Sequence, residues 1–240
     1  MTNRPTMLVT GASQGIGAAI VQAFLRRNYN VVATSRHISK AGLAQSPHLA
    51  LVDGDIGKAE TAEKVTRTAM TTFGSINHVV NDAGIFLGKP FTDYTPEDLD
   101  RFVSTHLQGF VFITQLAVKQ MLLQGTGGSV TTITSALADN PMAGTLASIP
   151  MMTKGGLNAI TLSLASEYAK YHIRFNAVAP GDVDTPLQKG ATRESLSARN
   201  PMGTVSDPKD IADAVVYLAE ATHVTGEVLH VDDGAHVGRW

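Results

Sequence analysis

Met7-Leu8-Val9-Thr10-Gly11-Ala12-Ser13-Gln14-Gly15-Ile16-Gly17 decides the reading of this chain. An apolar run ends in a glycine-rich turn, after which Ile16, Ile20, Ala23, Phe24 and Arg27 fall at helical spacing. The pattern reads as strand, tight turn, helix. Gly11 permits the turn, Gly15 lets backbone approach a bound group, and Gly17 allows close packing of helix on strand. The free N–H groups and positive dipole end of the helix suit an anion. Such a turn also occurs without a ligand. Its position on a strand–turn–helix at the start of the sequence favours a dinucleotide pyrophosphate.

Outward from that unit, short β-rich runs alternate with longer helical patterns. The runs are Met7–Thr10, Val31–Thr34, Leu49–Val52, Ile76–Val80, Ser129–Thr134, Ile173–Val178 and Val228–Val231. Most are apolar without strict alternation, as in strands covered on both faces. Leu157, Ile160, Thr161, Leu164, Ala165 and Tyr168 repeat the helical spacing. The alternation predicts an α/β fold: a doubly wound, seven-stranded, mostly parallel Rossmann-type sheet in a single domain spanning 1–240. Gly84–Thr95 and Pro180–Asp207 read as irregular, and segments of that kind after strand ends usually form the ligand crevice.

Composition narrows the function classes. With 240 residues the chain can bury a large core. There are no cysteines, which excludes disulfides, thiolate catalysis and Cys-ligated zinc; no metal is expected. A formal net charge of −2 gives no drive toward nucleic acid or an anionic membrane. The polar start, Met1 to Pro5, has no signal-peptide pattern, and no apolar run approaches the roughly 20 residues that span a bilayer. The expectation is a cytoplasmic protein without nucleic-acid or membrane partners.

Which nucleotide binds depends on the end of the second strand, where a carboxylate would take ribose hydroxyls. Thr34-Ser35-Arg36-His37 has none. Ser35 can hydrogen-bond a 2′-phosphate and Arg36 can neutralise it, which prefers NADP(H) and leaves NAD(H) open. Arg36 also reads simply as a solvated surface residue.

The sequence from Thr10 to Gly17 resembles the short-chain dehydrogenase/reductase family, and three further segments match in order. Asn81-Asp82-Ala83-Gly84 is similar to its Asn-Asn-Ala-Gly motif. Ser135 ends the fifth strand, where the family keeps a catalytic serine. Pro180-Gly181-Asp182-Val183-Asp184-Thr185 resembles its Pro-Gly-x-x-x-Thr segment. The resemblance implies that Gly11, Ser13, Gly15, Ile16 and Gly17 line the pyrophosphate and adenosine ribose. It places Asp55 and Ile56 at the adenine, and Asn81, Ala83 and Gly84 toward the nicotinamide side. Pro180, Gly181, Val183 and Thr185 would contact the nicotinamide, with substrate beneath the loop Thr185–Asp207. It further implies a small-molecule carbonyl or alcohol substrate and a homo-oligomer, tetramer or dimer.

The pattern breaks at the family's Tyr-x-x-x-Lys pair. Lys154 is in place, but Pro150 stands four residues before it. In the family the phenol passes a proton to or from the substrate oxygen, and the lysine lowers its pKa and holds the nicotinamide ribose. Residues four apart share a helix face, so the two groups would converge. No tyrosine lies between Ser135 and Lys154, and Tyr168, 14 residues beyond Lys154, is about 21 Å along the helix. Tyr171 is further still, and Tyr94 is on another loop. Pro150 suits a first helical turn, with Ser148 as a candidate N-cap. His106 stands where the family has the Asn of an Asn-x-x-Gly pattern. It reads either as a packed histidine with satisfied nitrogens or, with Lys154 or a water, as part of a replacement proton path. Ser135, Lys154 and His106 are thus the candidate catalytic residues, and Lys154 also binds cofactor. Two functions compete: an oxidoreductase with an altered proton donor, and a dinucleotide-binding protein without turnover. Phe86, Leu87, Ala143, Leu146, Leu187 and Met202 are candidate pocket residues for a fairly apolar substrate, though core packing explains several equally well. The terminal segment Gly234–Trp240, with His236, either covers a neighbouring subunit or packs on its own domain.

Overall fold

The computed structural model describes residues 4–188 and 190–237. Its strands are β1 (Thr6–Thr10), β2 (Asn30–Ser35), β3 (Leu49–Asp53), β4 (His78–Asn81), β5 (Gly128–Ile133), β6 (Ile173–Pro180) and β7 (Val228–Val231). They form one sheet in the order β3-β2-β1-β4-β5-β6-β7. Every pairing is parallel, so the expected mostly parallel sheet is wholly parallel among the described residues. The helices are α1 (Gly15–Arg26), α2 (Ala59–Phe73), α3 (Pro96–Phe102), α4 (Gly109–Gln124), α5 (Ser148–Tyr168), α6 (Arg193–Ser197) and α7 (Pro208–Glu220). None among the described residues is long and apolar enough to cross a membrane.

The runs lack alternation because both sheet faces are covered. Met7 and Val9 of β1 point to one face and pack with Ile20 and Phe24 of α1 and Ile211 and Val215 of α7. Leu8, one residue out of phase, points to the other and packs with Val65 of α2, Ile113 of α4 and Leu157 of α5. Ile20, Phe24 and Ile113 are fully enclosed, and each such side chain contributes about 1.5–3 kcal/mol.

Six of the seven strands differ from the sequence reading by a residue or two at an end, and the start of β4 does so for a local reason. β4 begins at His78 rather than Ile76. The Gln124 side-chain amide takes both main-chain groups of Ile76, accepting its N–H at 2.9 Å and donating to its carbonyl at 2.8 Å. Ile76 keeps its buried side chain without joining the ladder.

Strand order reverses between β1 and β4, each the start of a run outward to one edge. In a doubly wound sheet that switch point opens a crevice beyond the strand C-termini. Gly84–Thr95 and Pro180–Asp207 border it as expected. The second carries the five-residue helix α6, begun by a capping box between Thr192 and Ser195.

Candidate active site

A cavity of about 650 Å³ occupies the crevice, a size ordinary for small-molecule sites. Its nucleotide end is built from β1, α1 and β2. Gly11 has φ 70°, and a Cβ on it would stand 2.7 Å from the Ala83 nitrogen. A Cβ on Gly17 would stand 2.6 Å from Asp82 Oδ2. Both contacts are shorter than real Cβ atoms tolerate, so the first helical turn sits against the loop after β4 only because these positions are glycine. Thr10 Oγ1 fastens the same junction, accepting the N–H groups of Asp82 and Ala83 at 3.1 Å each.

Gly11, Ser13, Gly15, Ile16, Ser35, Arg36, Asp55, Ile56, Ala83 and Gly84 line this end. Gly17 and Asn81 stand one layer behind. Asn81 donates its side-chain amide to Thr114 Oγ1 of α4 at 3.1 Å. Ser35 Oγ is buried without a hydrogen-bond partner. Arg36 is exposed and makes no ion pair among the described residues. Asp53, paired with Ser35 in the sheet register, turns away and accepts the Ser39 N–H and hydroxyl at 2.9 and 2.6 Å. Those bonds hold the Asp53 carboxyl below its ordinary pKa.

The reactive end gathers Ser135, Lys154, His106, Pro150, Pro180, Gly181, Val183 and Thr185. Ser135 lies two residues beyond β5, not at its end, and caps the 3-10 turn Ala136–Ala138; its Oγ accepts the Leu137 N–H at 3.3 Å. That leaves its hydroxyl hydrogen for a group in the cavity. Lys154 reaches in from α5 and donates to the Ile133 carbonyl at 2.6 Å. Burial lowers its pKa to about 8, against the opposing pull of the Asp82 charge. Burial raises Asp82 to about 7, against the pull of Lys154.

His106 sits on a π-helical segment, Val103–Gln108, inserted between α3 and α4. π-insertions commonly re-aim side chains at functional sites. Its Nε2 accepts the Ile85 N–H at 3.1 Å, so the ring proton resides on Nδ1, which donates to Thr153 Oγ1 at 2.7 Å. The Thr153 hydroxyl donates onward to the Pro150 carbonyl at 2.8 Å. Both nitrogens are therefore engaged. Burial and the nearby Lys154 charge push the histidine pKa down to about 3, so it stays neutral. This geometry matches the packed, satisfied histidine and leaves no nitrogen free to deliver a proton.

Pro150 is the third residue of α5, where a missing N–H breaks no helical bond. Ser148 is the first helical residue rather than the N-cap; Ala147 holds that position with no side-chain cap. None of the five tyrosines lines the cavity. The Tyr94 hydroxyl donates to the Leu87 carbonyl at 2.6 Å, and Tyr168 packs against Tyr171 and Phe175.

Of the apolar candidates, only Phe86 and Leu187 line the cavity. Leu87, Ala143, Leu146 and Met202 do not; Leu146 and Met202 are exposed. In their place stand Leu137 and Met142 with the polar Asn140, Arg199 and Asn200. Polar groups thus share a wall that is still mostly apolar. Arg199 is paired with Asp182 at 3.0 Å, and Gln188 donates to the same carboxylate at 3.0 Å. No local pattern announced Arg199 or Asn200, because they reach the cavity from beyond α6. Asp82 did carry a signal, an acid where the related motif has an amide. His236 accompanies the 3-10 turn Ala235–Val237 onto its own domain, bonded to Asp232 at 2.9 Å and stacked on His230 with ring centroids 4.1 Å apart. Trp240 lies outside the described residues.

The comparisons agree with this geometry. A family model described as Enoyl-(Acyl carrier protein) reductase matches residues 11–236. A tropinone reductase homolog of Arabidopsis thaliana is 35% identical, covering 95% of this chain and 92% of its own. Among solved structures, ElxO with NADP bound superposes with a TM-score of 0.90 at 26% identity, covering 98% and 100% of the two chains. A 3-ketoacyl-(acyl-carrier-protein) reductase from Brucella melitensis complexed with NADH superposes at 0.91 with 26% identity, covering 97% and 98%. Ordered motifs, a wholly parallel sheet with its crevice at the switch point, and these likenesses make the chain a member of the short-chain dehydrogenase/reductase family of oxidoreductases.

Proposed function

We propose that the chain is an NADP(H)-dependent oxidoreductase that interconverts a small carbonyl compound and its alcohol, with the Lys154 ammonium as proton source in place of the phenol. The observation that carries this reading is the meeting of Ser135 and Lys154 at one end of a cavity whose other end presents the glycine loop, Ser35 and Arg36. The unpartnered Ser35 Oγ and the unpaired Arg36 fit a 2′-phosphate. The Gly15 region and the start of α1 would hold the pyrophosphate, and Pro180, Gly181, Val183 and Thr185 the nicotinamide. When bound, that group supplies or takes the hydride at the substrate carbon. The chain does the rest. The Ser135 hydroxyl donates to the carbonyl oxygen and orients it. The Lys154 ammonium passes a proton to that oxygen as it becomes an alkoxide, leaving a neutral amine that solvent reprotonates. The mixed wall suits a carbonyl compound with polar groups beside apolar ones. The dimer or tetramer expected from the resemblance belongs to the same proposal.

Fluorescence titration with NADPH and NADH, followed by a panel of aldehydes, ketones and alcohols, tests the reading. Tighter NADPH binding with cofactor oxidation is the expected result. Pro150 favours a second reading, binding without turnover. Tight NADPH binding with no oxidation across the panel would support it, and no binding of either dinucleotide would sink both.

A further inference from the structure

Arg199 and Asn200 reach the cavity from the loop after α6, and bonds on both sides hold that loop in place. Before it, Arg193 of α6 pairs with Asp184 at 2.9 Å and with Asp207 at 3.0 Å, and donates to the Val205 carbonyl at 3.2 Å. Beyond Asn200, the Met202 N–H donates to the Asp233 carbonyl at 3.2 Å, and the Ser206 hydroxyl donates to the Asp233 carboxylate at 2.9 Å. The loop is thereby fastened to the turn after β7.

Each of the two side chains carries an unused polar atom. Asn200 is only 7% exposed, and its amide nitrogen donates to the Thr204 carbonyl at 2.7 Å. That bond fixes which way the amide points, and leaves Oδ1 buried without a donor. Arg199 donates from Nη2 to Asp182 Oδ1 at 3.0 Å, while its Nε is buried without an acceptor. A buried polar atom left unpaired is costly, and a ligand that pairs it removes the penalty. The polar groups nearby are neutral. Gln188 spends its Nε2 on Asp182 at 3.0 Å and has no partner for Oε1 among the described residues; the Asn140 side-chain amide likewise has none.

We infer that the substrate is a hydroxylated carbonyl compound whose hydroxyl is held by Arg199 and Asn200 while its carbonyl faces Ser135 and Lys154. The inference rests on the proposed reductase reading and names the substrate class for it. Consecutive residues offer a donor, Arg199 Nε, and an acceptor, Asn200 Oδ1. An alkyl group pairs neither. A carboxylate or phosphate has no hydrogen for Asn200, and it would meet the Asp182 carboxylate that already balances Arg199. A hydroxyl serves both, accepting from the guanidinium and donating to the amide oxygen.

A matched set of ketones tests it: hexan-2-one, its singly hydroxylated forms, and 5-oxohexanoate, which carries a carboxylate instead. With NADPH, the best hydroxyketone should exceed hexan-2-one in kcat/KM by at least about 10-fold, because without the hydroxyl both buried atoms stay unpaired. In Asn200→Leu that ratio should fall toward one. Should this variant fail to fold, Arg199→Lys keeps a charge opposite Asp182 but lacks the Nε donor, and should lower the ratio in the same way. A ratio near one in the wild type, or a ratio retained in a folded variant, overturns the inference. So does a preference for 5-oxohexanoate over every hydroxyketone. Ligand-observed NMR ranks the same ketones by binding to the protein alone. A hydroxyketone preference there with no turnover would count against the reductase reading and leave the hydroxyl subsite standing. No such preference in either measurement overturns the inference.

Discussion

Residues 10–36 supply most of the nucleotide end of the cavity from a single strand–helix–strand unit, with Asp55, Ile56, Ala83 and Gly84 added from the loops after β3 and β4, whereas the reactive end draws His106, Ser135, Lys154 and Pro180 from four separate places in the chain. The two ends also work through different atoms. The first relies on main-chain N–H groups and on glycines that let backbones meet at distances no Cβ permits. The second relies on side-chain acids and bases whose behaviour is set by burial and by one another. In the proposed reading the second can be rewritten by one substitution, such as the proline at position 150.

The comparison breaks most sharply at Lys154. Lys154→Met should lower turnover by about 10²–10⁴-fold, the ordinary worth of a general acid, measured as kcat on the best carbonyl found. The wild-type pH profile should agree. A proton donor must be protonated, so reduction should be fast below about pH 8, where Lys154 keeps its ammonium, and fall as pH rises through that value. A profile flat through pH 9 or so would remove lysine from that role.

Pro150→Tyr comes next. The third position of α5 makes no helical N–H bond, so tyrosine costs the helix nothing there. The new phenol should raise reductase turnover by about 10²-fold. No gain in a folded, dinucleotide-binding variant would mean that the reactive end had been remodelled for other chemistry.

Arg36→Ala belongs to the opposite end and should separate the cofactors. Losing a charged partner costs about 1.5–3 kcal/mol, so NADPH affinity should fall roughly 10- to 100-fold while NADH affinity holds. Equal loss for both would show Arg36 to be a general surface charge. His106→Ala should have the smallest effect on chemistry. It should destabilise by about 1–3 kcal/mol, because the Ile85 N–H loses its acceptor, yet leave the pH profile unmoved. A shifted profile would return His106 to the proton path.

How much was legible follows the same division. The seven strands were readable to within a residue or two, because a run buried on both faces is apolar throughout. β4 slipped at Ile76 because a glutamine 48 residues away occupies its backbone groups. Ser135 and Lys154 were found through motifs of fixed place in the strand order. Arg199 and Asn200 were missed, and four of six apolar pocket candidates lie elsewhere, because a loop's path over the crevice leaves no periodic trace. The π-helical segment was invisible too, since inserting one residue into a helical turn alters no residue type.

Local pattern alone specified the parallel sheet, the glycine loop and the absence of a phenol four residues before Lys154. Each is a matter of neighbours in the chain: spacing of apolar side chains, backbone freedom at glycine, the identity of one residue. Only the folded arrangement decided that His106 spends both nitrogens on Ile85 and Thr153, that no distant tyrosine returns to the site, and that Lys154 reaches the Ile133 carbonyl. Hydrogen-bond partners and burial are set by residues far apart in sequence, and in a low-dielectric interior those partners determine whether a titratable group carries its proton.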